Sequence, residues 1–462
     1  MSEQLPSVLR YARAWREKAL FPIPEAPELK LLILALAYVN LLLPVFNVSN
    51  SAPMLILGLI GLGTYFFQDG NKFSRYAMFC LTFLLALLLQ DRLLFPTHGV
   101  QLYRSLITSF FSGAAIYYAL KQDGVFYPKF LAGVALILAL AAITTFAVMK
   151  NAAEKFFDHN ELVLFSVHHH FLGYIASVIC VVNMVSILDK SNQHVILPDN
   201  NFFSRYYFLI NNALNNRLLH IISFIISTYI LFMTYSRTAI FAFLITALFI
   251  MVYWLSRRFN IYKTAIISCL CLFIFFTGIQ ALKQYYPDGE FKNRILTALT
   301  NPIQEASFRS RLLIWLASVK SIESAPVIGN GPHTFNQVIN EYIDAYYIRT
   351  AKKFGREVID GDTSHAQHAY NQFLSMTLDQ GLIILFMFFS IVVYPLRQAV
   401  KYRSCFGLLV PLLTHFIIYS LAESPFVYTK SSHFPVFIIF SGIGYFACMD
   451  FRHGATHRLE RT

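Results

Sequence analysis

Charge is what this sequence has least of. Asp, Glu, Lys and Arg make up 13% of its 462 residues, where soluble domains carry about 25%. A soluble chain that is 56% hydrophobic could not cover its surface, so a polytopic membrane protein is expected. Cysteine is scarce as well. The six cysteines (Cys80, Cys180, Cys269, Cys271, Cys405 and Cys448) lie in or beside apolar runs. That placement argues against a disulfide framework and against a thiolate metal site. The opening segment, MSEQLPSVLRYARAWREKAL, lacks a short apolar run followed by a small-residue cleavage site, and it is expected to be a cytoplasmic tail. No repeat of fixed period and no low-complexity tract interrupts the chain.

Long apolar runs dominate the rest. Runs near 29–46, 53–67, 74–90, 102–120, 126–149, 162–188, 218–235, 238–255, 262–282, 381–396, 404–422 and 433–450 approach the ~20 residues a bilayer requires. The expected fold is all-α and integral to the membrane, with about twelve transmembrane helices and both termini on one side. With a cytoplasmic N-terminus, 21 basic residues fall on inside segments and six on the short outside ones. This is the positive-inside bias. It accounts for most of the net charge of +12, so no nucleic-acid partner is called for. The expected division is a cytoplasmic tail (1–28), spans one to nine (29–282), a large outer loop domain (283–369), spans ten to twelve (370–450) and a second cytoplasmic tail (451–462). In a Gram-negative cell the loop would be periplasmic.

Against this background a few polar residues stand out. Arg237 lies in TYSRTAIF, between two apolar runs. Two readings are open: a guanidinium that snorkels to lipid phosphates, or part of an anion site at the mouth of a bundle. Ser236 and Thr238 flank it and could add donors. In EASFRSRLLIWLASVKSIESAPVIGNGPHTF, apolar residues recur at helical spacing from Ser307 to Ser321. Ser307 is the expected cap, and Arg309 and Arg311 fall in the first turns. A turn containing Gly329 and Gly331 follows.

His365, His368, Tyr370 and Asn371 precede the tenth run, where an imidazole can accept a proton near neutral pH. His168, His169 and His170 open the sixth run, and of three adjacent side chains on a helix at most two can face one site. Glu423 ends the eleventh run. All of these fall at one expected membrane face. Two cationic side chains and a candidate base suit transfer from a lipid-linked pyrophosphate: the arginines would stabilise charge on the leaving diphosphate, and the histidine would deprotonate an acceptor hydroxyl.

Four motifs in order carry a resemblance. SRTAIFAFL is similar to an S-R-[GT]-A turn, SRLLIW to an R-x-x-x-W helix, APVIGNGPHTF to P-x-x-G-x-G-x-x-x-F, and HAYNQFLSMTLDQGLIIL to H-x-H-N-x-x-L followed by an acid and G-L. In these motifs the chain resembles the O-antigen ligase and polymerase superfamily, GT-C-like multi-span glycosyltransferases that use undecaprenyl-diphosphate glycans. The resemblance implies that Arg237 and Arg311 bind the donor diphosphate. It further implies inversion at the anomeric carbon and no metal or other cofactor. Tyr370 stands where the family pattern has its second histidine, so the base is assigned to His368, with His365 as the alternative. Arg309, His365, His169, His170, Tyr370, Asn371 and Glu423 are expected to contact substrate. Membrane lipids, the undecaprenyl-diphosphate-linked donor and a lipid A–core acceptor are the expected partners. A polymerase joining lipid-linked repeats, a protein O-oligosaccharyltransferase, and a transporter of lipid-linked glycan are the alternatives.

Overall fold

The computed structural model describes residues 27–43, 51–67, 75–94, 157–158, 161–162, 169–188, 217–260, 262–270, 306–331, 369–401 and 406–424, with isolated residues at 108–137, 277 and 335. Its principal elements are α1 (Pro27–Leu42), α2 (Ser51–Phe67), α3 (Arg75–Leu94), β1 (Phe157–Asp158), β2 (Glu161–Leu162), α4 (His169–Leu188), α5 (Arg217–Met233), α6 (Arg237–Arg258), α7 (Ala306–Ser324), α8 (Gln372–Lys401) and α9 (Phe406–Ser420). The strands form a two-residue antiparallel ladder, Phe157 opposite Leu162. The other principal elements are all helical, as the apolar runs predict.

α5 buries several polar side chains and exposes several large apolar ones. On α5, His220, Ser223 and Ser227 are buried, while Leu218, Ile221, Ile222, Ile225 and Tyr229 face outward. Water would favour the reverse arrangement. A bilayer favours this one, because acyl chains solvate leucine and isoleucine while polar groups must find partners inside the bundle. They find them here: Asn183 Nδ2 donates to Ser223 Oγ at 2.8 Å, and His220 Nδ1 lies 3.0 Å from Asn183 Oδ1. By length and composition two helical stretches, Arg237–Ser256 and Gln372–Ile391, are long and apolar enough for a span, the second interrupted at Gly381, and five shorter apolar helices accompany them. The expected count of about twelve spans also rests on runs outside the described residues.

α4 is the centre of the bundle. It packs against α5, α6 and α9, and Leu172, Ile175, Ile179, Val181 and Val182 are all fully buried or nearly so. α9 also packs on α6 and α8, and α8 on α3 and α7. The approach of α4 to the α5–α6 turn depends on Gly173. A Cβ there would sit 2.6 Å from Ser236 Cβ and 2.9 Å from Thr234 Oγ1, closer than real contacts allow.

α8 does not run straight. Gly381 has φ 78° and ψ 177°, a conformation that a side chain resists. Phe373 stacks on Phe389, centroids 5.2 Å apart, whereas sixteen residues of straight helix would separate them by about 24 Å. The arm 372–380 therefore folds back along 382–401. The turn after α7 docks on this bend. Asn330 N donates to Leu378 O (2.8 Å), Gly331 N to Asp379 O (2.9 Å) and Leu382 N to Pro326 O (2.9 Å). Gly329 and Gly331, expected to form a bend, have φ of 81° and 100°. Gln90 of α3 donates to Gln380 O at 2.9 Å and closes the joint.

Candidate functional site

The site is assembled where the starts of α4, α6, α7 and α8 meet the end of α9. The α5–α6 hairpin turns through residues 234–236, with Tyr235 at φ 47°. Ser236 is the N-cap of α6 but makes no side-chain cap bond. Its hydroxyl lies 3.3 Å from His170 Nδ1 instead. Arg237 is thus the first residue of α6, where a helix N-terminus and a guanidinium together favour an anion.

Arg311 comes from the second turn of α7. Its apolar neighbours Ile314 and Ala317 pack with Ala369 and Leu378, which turns the guanidinium toward α6 and α9. Nη1 donates to the carbonyl of Ala422 at 2.7 Å and lies 3.4 Å from Thr238 Oγ1. Nη2 donates to Glu423 Oε1 at 2.8 Å. Tyr370 lies under the guanidinium, 4.9 Å from Cζ to ring centroid, a cation–π distance. Trp315, one helical turn on, donates from Nε1 to Ala369 O at 2.8 Å and so fixes the backbone beside Tyr370.

The entry to α8 is set by Asn371. Its Oδ1 accepts from Phe373 N and Leu374 N, and its Nδ2 donates to Leu421 O. This is a side-chain N-cap. Tyr370 adopts φ 48° just before it. Burial, and after it the nearby Glu423 carboxylate, raise the Tyr370 hydroxyl above its ordinary range, against a lowering contribution from Arg311. This phenol holds its proton at neutral pH, so it cannot act there as a base.

Glu423 follows α9. Its side chain is 3% exposed and pairs with Arg311, and His170 Nδ1 lies 3.9 Å from the same carboxylate oxygen. Its backbone carbonyl accepts from Gln372 N at 3.1 Å. Tyr419 donates its hydroxyl proton to His170 O at 3.2 Å. Ser236, His170 and Glu423 are not a nucleophilic triad. The hydroxyl and the carboxylate address the same ring nitrogen, and Ser236 is fully buried.

The structure thus brings together Arg311, Tyr370, Asn371, Glu423 and His170, with Arg237 next in chain to Thr238, the neighbour that Arg311 reaches. Ser236 and Thr238, expected to donate to an anion, are engaged with His170 and Arg311. Ser307, expected to cap α7, is its second residue. Arg309 lies on α7 and His169 opens α4. His365, His368 and His168 lie outside the described residues. Sequence reading missed that Glu423 is the partner of Arg311 rather than an isolated carboxylate. It also missed the Ala422 carbonyl and Tyr419. No local signal marks these, because the pair is 112 residues apart.

Apolar helices with several exposed leucines and isoleucines, buried polar groups bonded to one another, and a guanidinium–carboxylate pair where helix ends meet fit a helical, membrane-associated protein. Residues 222–389 match the family model described as O-antigen ligase, which supports the resemblance to the O-antigen ligase and polymerase superfamily over that segment. The matched interval runs from α5 into α8 and contains Arg237, Arg311, Tyr370 and Asn371; His170 and Glu423 lie outside it. No curated protein matches the chain.

Proposed function

We propose that the chain is an O-antigen ligase that transfers a glycan from undecaprenyl diphosphate to lipid A–core oligosaccharide at the periplasmic face of the inner membrane. The observation that carries this reading is the meeting of Arg311 with Thr238, which puts the α7 guanidinium beside the residue that follows Arg237. Two arginines from separate helices can grip the two phosphates of one diphosphate. The ligase is preferred to the polymerase because the four motifs and the single outer loop domain resemble it most.

The acceptor hydroxyl oxygen attacks the anomeric carbon from the face opposite the diphosphate. The new carbon–oxygen bond forms as the bond to the diphosphate oxygen breaks, so the configuration inverts. The electron pair of the broken bond leaves with undecaprenyl diphosphate, and Arg237 and Arg311 balance the charge that develops there. The acceptor's proton passes to the imidazole of His368. Tyr370 stands at the position of the family's second histidine, and burial raises its hydroxyl above the ordinary range; the base is assigned to His368 as the resemblance implies.

The test is a deletion strain complemented with Arg237→Ala, Arg311→Ala or His368→Ala. Each variant should leave bare core lipid and glycan stranded on undecaprenyl diphosphate while the protein is still found in the membrane. Core bearing a single repeat unit would indicate a polymerase instead. Purified protein that binds donor without forming product over hours would indicate a transporter. Near-normal turnover of His368→Ala would remove the base assignment.

A further inference from the structure

The Arg311–Glu423 pair presents a problem of sign. A site built for a diphosphate gains nothing from a carboxylate facing the ligand, because like charges repel. Yet Glu423 is buried, bonded to Arg311 at 2.8 Å, and the adjoining Ala422 carbonyl takes a second guanidinium proton. Counting donors resolves the conflict. Arg311 has five N–H groups. Among the described residues three have acceptors, two on Nη1 and one on Nη2. Two remain, the number a bidentate phosphate contact uses.

We propose that Glu423 is a positioning residue. Resting on the diphosphate-site reading above, it holds the Arg311 guanidinium in one orientation and so directs the two remaining donors at the donor diphosphate. It does not touch substrate. The geometry supports this at three points. Glu423 fastens α7 to the end of α9 through its carboxylate, and the start of α8 to the same place through its carbonyl. Tyr370 covers one face of the guanidinium, so rotation about the last bonds of Arg311 is opposed by a ring as well as by the ion pair. A side chain with as much rotamer freedom as arginine loses less entropy on binding when its head is already fixed.

The experiment uses the purified full chain in detergent with a lipid-linked donor, and inorganic diphosphate as a competing probe. Glu423→Gln keeps the acceptor oxygen but removes the charge. Its kcat should fall about tenfold, the ratio that separates a charge-assisted from a neutral hydrogen bond, measured below the temperature at which the variant melts. Glu423→Asp should recover part of that loss. In an Arg311→Lys background, which has no fork to orient, Glu423→Gln should cost little more, read as inhibition by inorganic diphosphate and as the residual single-turnover rate. A Glu423→Gln loss of equal size in both backgrounds, or tighter inhibition by diphosphate on losing the charge, would mean that Glu423 faces the ligand directly, and the proposal falls. Unchanged turnover of Glu423→Gln beside a dead Arg311→Ala would also overturn it while leaving the diphosphate site standing. Wild-type turnover and diphosphate inhibition in Arg311→Ala would overturn both.

Discussion

Phe373 and Phe389 stack nearly parallel, 7° between ring planes, although a helix running through both would hold them far apart. The bend at Gly381 that brings them together also receives the turn after α7, and a Cβ on Gly381 would overlap the Val327 carbonyl. The fold of α8 and the placement of α7 are therefore one structural fact.

Gly381→Ala should lower the melting temperature in detergent and cut yield, because it adds a Cβ where φ is positive and backbone is in contact. Gly63→Ala in α2 is the control. Nothing lies within 4 Å of a Cβ there, so relief of helix-interior glycine should be neutral or stabilising by about 0.5–1 kcal/mol. In a cysteine-free background, Phe373→Cys with Phe389→Cys should be joined by a short bifunctional thiol reagent. Absence of the cross-link would mean that α8 is straight.

Arg311→Lys should lose nearly as much transfer as Arg311→Ala. A point charge can pair with Glu423 but cannot also reach Ala422 O and present a fork to phosphate. Breaking a buried pair by removing one partner costs about 3–5 kcal/mol, so Arg311→Ala should also show a lower melting temperature. Rates and thermal melts measured together separate the two effects.

Tyr370→Phe should retain most activity, since the ring that lies under Arg311 survives. Tyr370→Ala should not. The hydroxyl is raised by burial and by Glu423, so it stays protonated from acid through neutral pH, and the acidic limb of the pH–rate profile should be the same in Tyr370→Phe as in the wild type. A shifted acidic limb would show that the phenol titrates during turnover.

Gly173→Ala should reduce transfer despite lying on α4, away from both arginines in sequence. The added methyl meets Ser236 and Thr234 and must push the turn that starts Arg237 on its helix. A donor KM and kcat equal to wild type would show that this turn tolerates the displacement.

Much of the helical content is legible from apolar runs alone, because a run of leucine, isoleucine and phenylalanine of span length has few other ways to satisfy its backbone. The α5–α6 hairpin, α7 and the glycine turn are all readable in the order of residues. The fold-back of α8 is not. Its run 381–396 begins at Gly381, but periodicity cannot say that 372–380 reverses on it; stacking of Phe373 does. Arg237 and Arg311 are marked by their rarity in apolar surroundings. The partner of Arg311 is hidden because Glu423 sits 112 residues away, and pairing across that separation is decided by how α7 and α9 pack.

The hairpin formed by α5 and α6 has a last consequence, which concerns biogenesis. Three residues, 234–236, join α5 to α6. On the periplasmic-face reading proposed above, Arg237 begins α6 just after that turn and crosses the bilayer with it. A mutation that shortened either helix's greasy stretch would then strand the guanidinium in the wrong compartment, and function would be lost during synthesis, with every side chain of the site intact.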